Sequence, residues 1–375
     1  MEIIDCIGSP RTRGEVHGEA LRKRIASALE NWEAATMAGL GPRAPADFNG
    51  YCDDFLSGTA LLQRAEAVTP DLMAELRGIA IGAGQSFARM AVYNLMDEQW
   101  WYDAAPKAPP PGCSLIAQRV PGGYVLAQNM DLPAHMEGSQ VALRLGGPDM
   151  PETVVLSAAG MIGLTGVNST GLAIGVNTLL MLAHAADGLP VAFAVRHALG
   201  APDRDTAERR LSEVGHASGQ HYAIATREGI TSLECSAKTC SALPIPNTGR
   251  LLHTNHPLIS QDIDAAALAR LGSSGFTKSS AIRLSWLAAQ EGALKTAEEV
   301  QTLFDDSEAP IRMRAKTHGG SSTFATVLYS MTDCIGVRMR QDIADTARWQ
   351  EFNLGKARAN SGRMGLRRSE LQLNN

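Results

Sequence analysis

Apolar side chains in the first 107 residues recur at the spacing of amphipathic helices. Within residues 12–37 they stand at positions 16, 21, 25 and 29, with charges of alternating sign between them. The same criterion predicts helices over residues 54–68, 69–85 and 87–97. The helix over residues 69–85 has a start signal, because Thr69 can cap it and Pro70 suits a first helical turn. We therefore predict a mostly helical N-terminal segment.

After a proline-rich stretch at residues 104–111, the pattern changes to short apolar runs separated by glycine, proline and asparagine turns, which is typical of strands. We predict strands over residues 114–119, 124–128, 141–145, 154–158, 172–176, 221–226, 229–235, 250–253, 322–330 and 333–338. Helical patterns interrupt them over residues 191–199, 203–214, 281–289 and 296–305. This order predicts an α+β fold of packed sheets flanked by helices. Residues 355–375 have the composition of a polar, basic, poorly ordered tail.

Composition narrows the class of protein. The 375 residues, 45% of them hydrophobic, are enough for one large domain or two ordinary ones. A net charge of −5, with no basic stripe before residues 356–368, argues against a nucleic-acid partner. No apolar run approaches the ~20 residues that span a bilayer, no signal peptide is visible, and the six cysteines are scattered. We expect a reduced, soluble, cytoplasmic protein that needs no cofactor and binds no membrane.

One dipeptide, Gly112-Cys113, lies between the proline-rich stretch and the first predicted strand. Pro111 has no N–H to donate, and Gly112 tolerates backbone conformations closed to other residues, so we expect an irregular, accessible loop. A thiol placed there can attack the carbonyl of the preceding residue and split the chain. The new N-terminal cysteine would carry nucleophile and base on one residue, because an α-amine titrates near pH ~8.

Plainer interpretations compete with these. Free cysteine is among the most buried residue types. From the motif alone, Cys113 is therefore about as well explained as a small core residue as it is as a nucleophile. His253 and His256 suggest a metal site, but their spacing on an extended chain splays them and no third ligand is evident. We therefore expect no metal.

Short motifs occur in a distinctive order along most of the chain. They are Gly8-Ser9-Pro10, Arg13-Gly14, His17-Gly18-Glu19, Glu75-Leu76-Arg77-Gly78, Gly112-Cys113, Gln128-Asn129-Met130-Asp131, Gly163-Leu164-Thr165-Gly166-Val167-Asn168, Gly171-Leu172-Ala173-Ile174-Gly175-Val176-Asn177-Thr178 and His253-Thr254-Asn255-His256. Together they resemble the autoproteolytic acyltransferase/amidohydrolase family of N-terminal-nucleophile hydrolases, the relatives of acyl-CoA:6-aminopenicillanic acid acyltransferase. The resemblance implies a four-layer αββα sandwich. It also implies a precursor that cuts itself into a small chain, residues 1–112, and a large chain, residues 113–375, which stay associated.

The resemblance also assigns roles to single residues. Cys113 would attack first the carbonyl of Gly112 and then the substrate, Asp131 would orient the amine of Cys113, and Asn255 would supply an oxyanion-hole amide. Taken alone, Asp131 and Asn255 are more typical of turn residues than of catalytic ones. Asn129, Asn177, Met130 and Trp101 are candidate substrate-binding residues, although Asn commonly serves turns and Trp commonly packs in cores.

Three departures from the family pattern affect the expectation. Pro111 stands before the Gly112–Cys113 cleavage site, which predicts slower self-cleavage. Met130 and Leu132 replace aromatic residues of the family, which predicts an altered acyl pocket. The family's late arginine has no clear counterpart, with Arg312 and Arg314 as weak candidates. The resulting expectation is an amide-bond hydrolase or acyltransferase acting on small N-acyl substrates through a thioester. An internal-cysteine amidase using His253 or His256 without self-cleavage, and a non-catalytic binding protein on the same fold, stay open.

Overall fold

The computed structural model describes residues 1–104, 112–148, 150–290, 294–314, 320–342 and 348–356. Within them the helices are α1 (Pro10–Ala20), α2 (Arg22–Leu40), α3 (Phe48–Ser57), α4 (Leu61–Val68), α5 (Pro70–Ala83), α6 (Phe87–Tyr93), α7 (Met96–Asp103), α8 (Val191–Leu199), α9 (Arg204–Ser212), α10 (Ala265–Ser273), α11 (Phe276–Ala289) and α12 (Ala297–Asp305). The strands are β1 (Glu2–Ile7), β2 (Cys113–Val120), β3 (Gly123–Pro133), β4 (Gln140–Gly147), β5 (Met150–Ala158), β6 (Thr165–Asn168), β7 (Ala173–Thr178), β8 (Gln220–Ala225), β9 (Ile230–Cys235), β10 (Cys240–Ala242), β11 (Arg250–His253), β12 (Ser321–Met331), β13 (Cys334–Gln341) and β14 (Gln350–Lys356).

The strands form two sheets that pack face to face. One sheet has eight strands in the order β1-β4-β5-β6-β7-β8-β9-β10, and the other has six in the order β11-β2-β3-β12-β13-β14. Strands β2 and β3 pack against β7, where Gly175 leaves no room for a side chain, because a Cβ there would lie 2.4 Å from Leu115 Cδ1. Helices α8 and α9 cover the eight-stranded sheet, and α11 and α12 cover the six-stranded sheet. The predicted α+β fold with helices on both sides of two sheets is confirmed.

The N-terminal segment is mostly helical, as predicted, but it also supplies an edge strand. Strand β1 pairs in parallel with β4, burying Ile4 and Cys6 and leaving Ile3 and Ile7 exposed. The N-terminal segment is therefore part of the sandwich itself. The parallel pairing brings together residues about 140 positions apart, which local alternation does not reveal.

Two predicted helices are each divided in two. The helix predicted over residues 12–37 breaks at Leu21, and the one over residues 54–68 breaks between Ser57 and Leu61. Pro70 starts α5 as predicted, but Thr69 does not cap it: its hydroxyl donates to the carbonyl of Ala65 at 2.8 Å, in the helix before. The competing bond is local, a common behaviour of Thr beside a helix end.

Several shorter elements escaped prediction, namely β6, β10, α10 and β14. Strand β14 includes residues 355 and 356, so the predicted disordered tail was wrong for its first two residues. Its remaining residues, like Pro111 and the rest of the proline-rich stretch after residue 104, lie outside the described residues. Within the part of the chain that is described, no helix has both the length and the apolar character needed to cross a membrane.

A glycine-lined helix crossing holds the N-terminal segment together. In α1 and α5, four glycines let the two backbones touch, and a Cβ at Gly14 would lie 1.9 Å from the carbonyl oxygen of Glu75. The corresponding distances to opposing carbonyl oxygens are 2.4 Å at Gly18, 2.3 Å at Gly78 and 2.3 Å at Gly82. No side chain fits at these positions unless the helices separate. Helix packing thus explains the glycines of three sequence motifs, Arg13-Gly14, His17-Gly18-Glu19 and Glu75-Leu76-Arg77-Gly78.

A buried ion network joins this helix pair to the sheets. The carboxylate of Glu75 in α5 lies 3.1 Å from Arg13 Nε in α1 and 2.8 Å from Arg196 Nη1 in α8. Burial alone would raise the pKa of Glu75, but Arg196 and Arg13 outweigh burial and lower it. A buried ion cluster with one member removed leaves an uncompensated charge, which costs several kcal/mol. The network therefore fastens residues 1–112 to the rest of the chain.

Candidate active site

Cys113 is the first residue of β2 and lies in the interior. It pairs in register with Met130 on β3, and its thiol donates to Met130 Sδ at 3.5 Å. In the continuous chain the nitrogen of Cys113 is an amide N–H. Burial and the nearby charge of Asp131 raise the pKa of the thiol to about 12. The uncut chain therefore holds Cys113 as a neutral thiol that needs a base.

Asn255, just after β11, faces the backbone of Cys113. Its Oδ1 accepts from the Cys113 N–H at 2.6 Å, while its Nδ2 donates to the carbonyl of Thr178 at 3.1 Å. Its own N–H donates to the hydroxyl of Ser280 at 2.8 Å. An amide NH₂ has two hydrogens, so one is left for a further acceptor.

A buried arginine completes the contacts around Cys113. Arg283 in α11 donates through Nη1 to the carbonyl of Cys113 and to Ser114 Oγ (3.1 Å), and through Nη2 to Asn255 Oδ1 (2.9 Å). Burial lowers the pKa of Arg283, while Asp131 and Cys113 oppose that change. Sequence reasoning missed this residue. The available signal was the apolar stripe of α11, in which Arg283 occupies a buried position beside Phe276, Ser280 and Leu287.

Asp131 touches the junction through its backbone. Its N–H donates to the carbonyl oxygen of Gly112 at 2.9 Å, and its Oδ1 accepts from the hydroxyl of Thr323 at 2.7 Å. Oδ2 is buried and has no hydrogen-bond partner among the described residues. Burial raises the pKa of the Asp131 carboxyl to about 7, and the positive charge of Arg283 limits the rise. The group is thus poised to exchange a proton near neutral pH.

Gly112 is confined by the same groups. A Cβ at this position would lie 2.8 Å from Arg283 Nη2 and 3.3 Å from Asn255 Oδ1. Any larger residue would displace the guanidinium or the amide from its contacts. The glycine of the Gly-Cys motif is therefore required by the crowding on the N-terminal side of Cys113.

A mainly apolar cavity opens beside Cys113. Its walls include Met130, Asp131, Leu132, Thr178 and Asp97, the last contributed by α7 of the N-terminal segment. Met130, one of the candidate substrate-binding residues, is therefore part of the cavity wall, and its role in binding stays a prediction. A carbonyl compound in this cavity would meet the thiol, the Asp131 carboxyl and one wall of apolar side chains.

The model of the acyl-coenzyme A:6-aminopenicillanic acid acyl-transferase family matches residues 120–347, which is more than half of the chain and includes Asp131, Asn255 and Arg283. The chain belongs to this family. The match begins seven residues after Cys113.

Two individual proteins are also similar. The 40 kDa form of acyl-coenzyme A:6-aminopenicillanic-acid-acyltransferase from Emericella nidulans is 26% identical over 270 residues, which is 71% of this chain and 72% of that protein. Among solved structures, penicillin V acylase from Agrobacterium tumefaciens has a TM-score of 0.38 and 11% identity, covering 64% of this chain and 86% of that one. The family name and the sequence relative are both those of acyltransferases, so this family member is an enzyme by relationship.

Two of the candidate substrate-binding residues, Asn129 and Trp101, are not among the cavity-wall residues. Asn129 is held on β3 by Thr326 Oγ1 (2.7 Å) and by the carbonyl of Ile311 (2.8 Å). Trp101 donates to Ser218 Oγ at 3.0 Å and stacks on His184 with ring centroids 4.8 Å apart. Both side chains make structural contacts with residues other than Cys113.

A buried polar cluster lies behind Asn255. His253 places Nε2 2.9 Å from the carboxylate of Glu234 and Nδ1 2.7 Å from the carbonyl of Thr254. Both of these partners are hydrogen-bond acceptors. Glu234 also accepts from the N–H groups of residues 258–260 at 2.6, 3.0 and 2.7 Å. The carboxylate therefore anchors the chain on both sides of Asn255.

Asn177 belongs to the same cluster, between the two sheets. The ring of His221 stacks on that of His253 with centroids 3.6 Å apart, and its Nδ1 bonds Asn177 Oδ1 at 2.9 Å. Burial and the neighbouring His253 lower the pKa of His221 well below its usual value, so His221 is neutral. The sequence candidate Asn177 thus contacts this cluster and is not among the cavity-wall residues.

The histidines that the sequence offered as metal ligands or catalytic bases are occupied elsewhere. His256 Nδ1 lies 2.7 Å from Ser280 Oγ, and His253 has the two partners given above. Neither hydrogen-bonds the thiol of Cys113, and the described residues contain no cluster of three or more His, Cys, Asp or Glu arranged to hold a metal ion. The predicted roles of Cys113, Asp131 and Asn255 stay predictions, and the structure adds the hydrogen bonds that these residues make.

Proposed function

We propose that this protein is a self-processing enzyme that cuts its own Gly112–Cys113 bond and then hydrolyses, or transfers the acyl group of, small N-acyl substrates through a thioester on Cys113. The observation that carries the proposal is the convergence of contacts on one peptide bond. Asp131 N–H binds the oxygen of Gly112 at 2.9 Å, and Asn255 Oδ1 binds the nitrogen of Cys113 at 2.6 Å. The carbonyl oxygen and the amide nitrogen of the bond to be broken are therefore both positioned by hydrogen bonds.

In the cleavage step, Asp131 takes the thiol proton and the sulfur attacks the carbonyl carbon of Gly112. The developing oxyanion stays on the N–H of Asp131, which already holds that oxygen. The C–N bond then breaks as the nitrogen of Cys113 receives the proton, leaving a thioester. Water hydrolyses this thioester, which releases the Gly112 carboxylate and restores the thiol. The products are residues 1–112 and 113–375.

Cleavage converts the nitrogen of Cys113 into an α-amine held by Asn255 Oδ1. An amine is basic enough to take the thiol proton near neutral pH, whereas the buried internal thiol is not ionised. The thiolate attacks a substrate amide, and the amine then protonates the leaving nitrogen. The free Nδ2 hydrogen of Asn255 is the donor for the tetrahedral oxyanion. Water completes hydrolysis, which we favour over transfer because water is always available.

The geometry favours this route over an internal-cysteine amidase. A Cys–His pair requires an imidazole bonded to the thiol, and the hydrogen-bond partner of Cys113 Sγ in this structure is Met130. The two enzymes also differ in a measurable way, because the rival would turn over with residue 112 still attached. A non-catalytic binding protein on the same fold would instead have an unreactive thiol at position 113.

The proposal is tested by intact-mass measurement and N-terminal sequencing of the purified wild-type protein. We expect two fragments whose masses sum to the whole chain plus one water, with Cys113 as the first residue of the larger. Activity is then screened with N-acyl amino acids and small amides. Turnover by a protein that is still uncut would overturn the mechanism, and a cut protein with no amidase or acyltransferase activity would overturn the second step.

Arg283 is expected to position both the cysteine backbone and Asn255 during cleavage. Arg283→Met removes a guanidinium that bonds the Cys113 carbonyl and Asn255 Oδ1, and we expect self-cleavage to slow by about 100-fold or more. It also removes a charge that lowers the pKa of Asp131, so the acid limb of the cleavage rate should move to higher pH. Rates are measured by gel densitometry after dilution from a cleavage-blocking pH.

The surface variant Arg227→Met, which loses an exposed pair with Asp333, is the control and should cleave at the wild-type rate. A merely structural role for Arg283 would lower the rate without moving the pH profile. Wild-type cleavage in Arg283→Met would exclude a positioning role.

A further inference from the structure

The wall of the cavity beside Cys113 contains a carboxylate that the proposed reaction does not use. Most of the wall is thioether and aliphatic, contributed by Met96, Met130, Met161, Leu164, Val176 and Val195. Asp97, on the first turn of α7, is half-buried and lines the same cavity. An ionisable group in an otherwise apolar cavity fixes ligand orientation and sets specificity.

Asp97 is only partly satisfied by the protein. Its Oδ2 accepts from Thr178 Oγ1 at 2.9 Å and from Gln220 Nε2 at 2.7 Å, and both donors are neutral. Among the described residues, no lysine, arginine or histidine pairs with this carboxylate, and Oδ1 makes no hydrogen bond. Burial raises the pKa of Asp97, which is the cost of a carboxylate kept from water without a counter-ion.

The neighbouring acid, Glu98, lies outside the cavity wall. Glu98 is fully buried, with Oε1 accepting from the N–H of Val191 and the hydroxyl of Ser218, both at 3.2 Å, and with Oε2 unpartnered among the described residues. Burial and the charge of Asp97 raise the pKa of Glu98 to about 8. Glu98 is therefore protonated near pH 7, and Asp97 is the acid of this pair that lines the cavity.

The carboxylate is connected to the reacting groups through one residue. Thr178 donates its hydroxyl to Asp97, and its carbonyl accepts from the Nδ2 of Asn255, which faces Cys113. Asp131, whose Oδ2 is buried and unpartnered among the described residues, lines the same cavity as Cys113. A ligand bonded to the sulfur and extended along the apolar wall can therefore bring its far end to Asp97.

We propose that this cavity is an acyl-binding pocket selective for acyl groups that end in a protonated amine, with Asp97 as the residue that binds the ammonium. The inference rests on the proposed function, because the acyl group is placed by its thioester to Cys113. The thioether and aliphatic wall contacts the methylene chain, and the ammonium supplies the counter-ion that the protein does not. Acyl groups ending in a carboxylate are excluded by repulsion from the same residue.

The test uses the processed wild-type enzyme and p-nitroanilides of straight-chain ω-amino acids. Each is paired with the fatty acyl p-nitroanilide in which a methyl group replaces the ammonium, and kcat/KM is measured for both. We expect the amino acyl member to be preferred by about 10- to 100-fold at its best chain length, the effect of a hydrogen bond to a charged group. Asp97→Asn, which keeps an acceptor for Thr178 and Gln220, should bring this ratio close to one.

Glu98→Gln is the matched control, because Glu98 is not among the residues that line the cavity, and this variant should keep the high ratio. Two results overturn the inference, provided that the enzyme still cleaves itself and turns over the fatty acyl anilides. One is a ratio of one or less in the wild type, and the other is a high ratio retained by Asp97→Asn. An enzyme that is unprocessed, or inactive on every anilide, instead contradicts the proposed function. The two failures are thus distinguishable.

Discussion

Replacing Cys113 by alanine is expected to yield one uncut chain with no measurable turnover, whereas the wild type yields two chains and activity. The sulfur is the only atom proposed to attack Gly112, and no other described thiol approaches this bond: Cys6, Cys52, Cys235, Cys240 and Cys334 are free and lie on other elements. Removing the nucleophile removes both reactions at once, as expected for a residue that is used twice. Intact mass and a p-nitroanilide assay measure the two effects.

Cys113→Ser and Cys334→Ala serve as controls for this experiment. Serine keeps an attacking oxygen in the same geometry, so slow cleavage over hours to days is expected, with strongly reduced turnover. Cys334 is exposed at the start of β13, and its replacement should change neither cleavage nor activity. Two fragments from Cys113→Ala would show that another agent cuts the chain and would remove the basis of the mechanism.

The site residues that could be predicted from sequence are those that lie in short motifs. Cys113, Asp131 and Asn255 each stand beside a recognisable strand end, and the structure brings all three around one peptide bond. Arg283 was missed because it lies inside a helix whose other residues give no motif. Its partners, Cys113 and Asn255, are 170 and 28 positions away, and only tertiary structure places them together.

The orientation of Asn255 is a second property that sequence could not supply. As an oxyanion-hole residue it was expected to present its NH₂ group, yet it turns Oδ1 toward Cys113 and Arg283, which both donate to it. One NH₂ hydrogen is used by Thr178. Asn255 thus has two tasks in the uncut chain, and its donor role depends on the hydrogen that is left.

The fold was predictable where local periodicity decides it. Helix α8 and strand β11 have the predicted bounds, because apolar runs of the right length end at turn residues there. Strand β1 was missed because it is an edge strand whose partner, β4, lies far along the chain. Sequence pattern indicated neither the buried Glu75 network nor the reason for four glycines in α1 and α5, since both depend on how two helices cross.

This crossing leads to the largest stability effect that we expect. Gly14→Ala places a Cβ 1.9 Å from the carbonyl oxygen of Glu75, so α1 must move away from α5. The movement also disturbs the carboxylate of Glu75 between Arg13 and Arg196. We expect a loss of about 3 kcal/mol or more, the upper range of overpacking plus a damaged ion network. Thermal unfolding monitored by circular dichroism measures this loss of stability. We also expect much of the variant to be insoluble.

Gly39→Ala in α2 provides the matched control, because nothing lies within 4 Å of the added methyl group. Alanine is favoured over glycine inside a helix by about 1 kcal/mol, so this variant should be as stable as the wild type or slightly more stable. In the processed protein, Gly14→Ala should also weaken the association of residues 1–112 with 113–375, seen as separation of the two chains on size exclusion. Equal stability of Gly14→Ala and Gly39→Ala would mean that α1 and α5 do not touch in solution, and the proposed hold on the N-terminal segment would be lost with that contact.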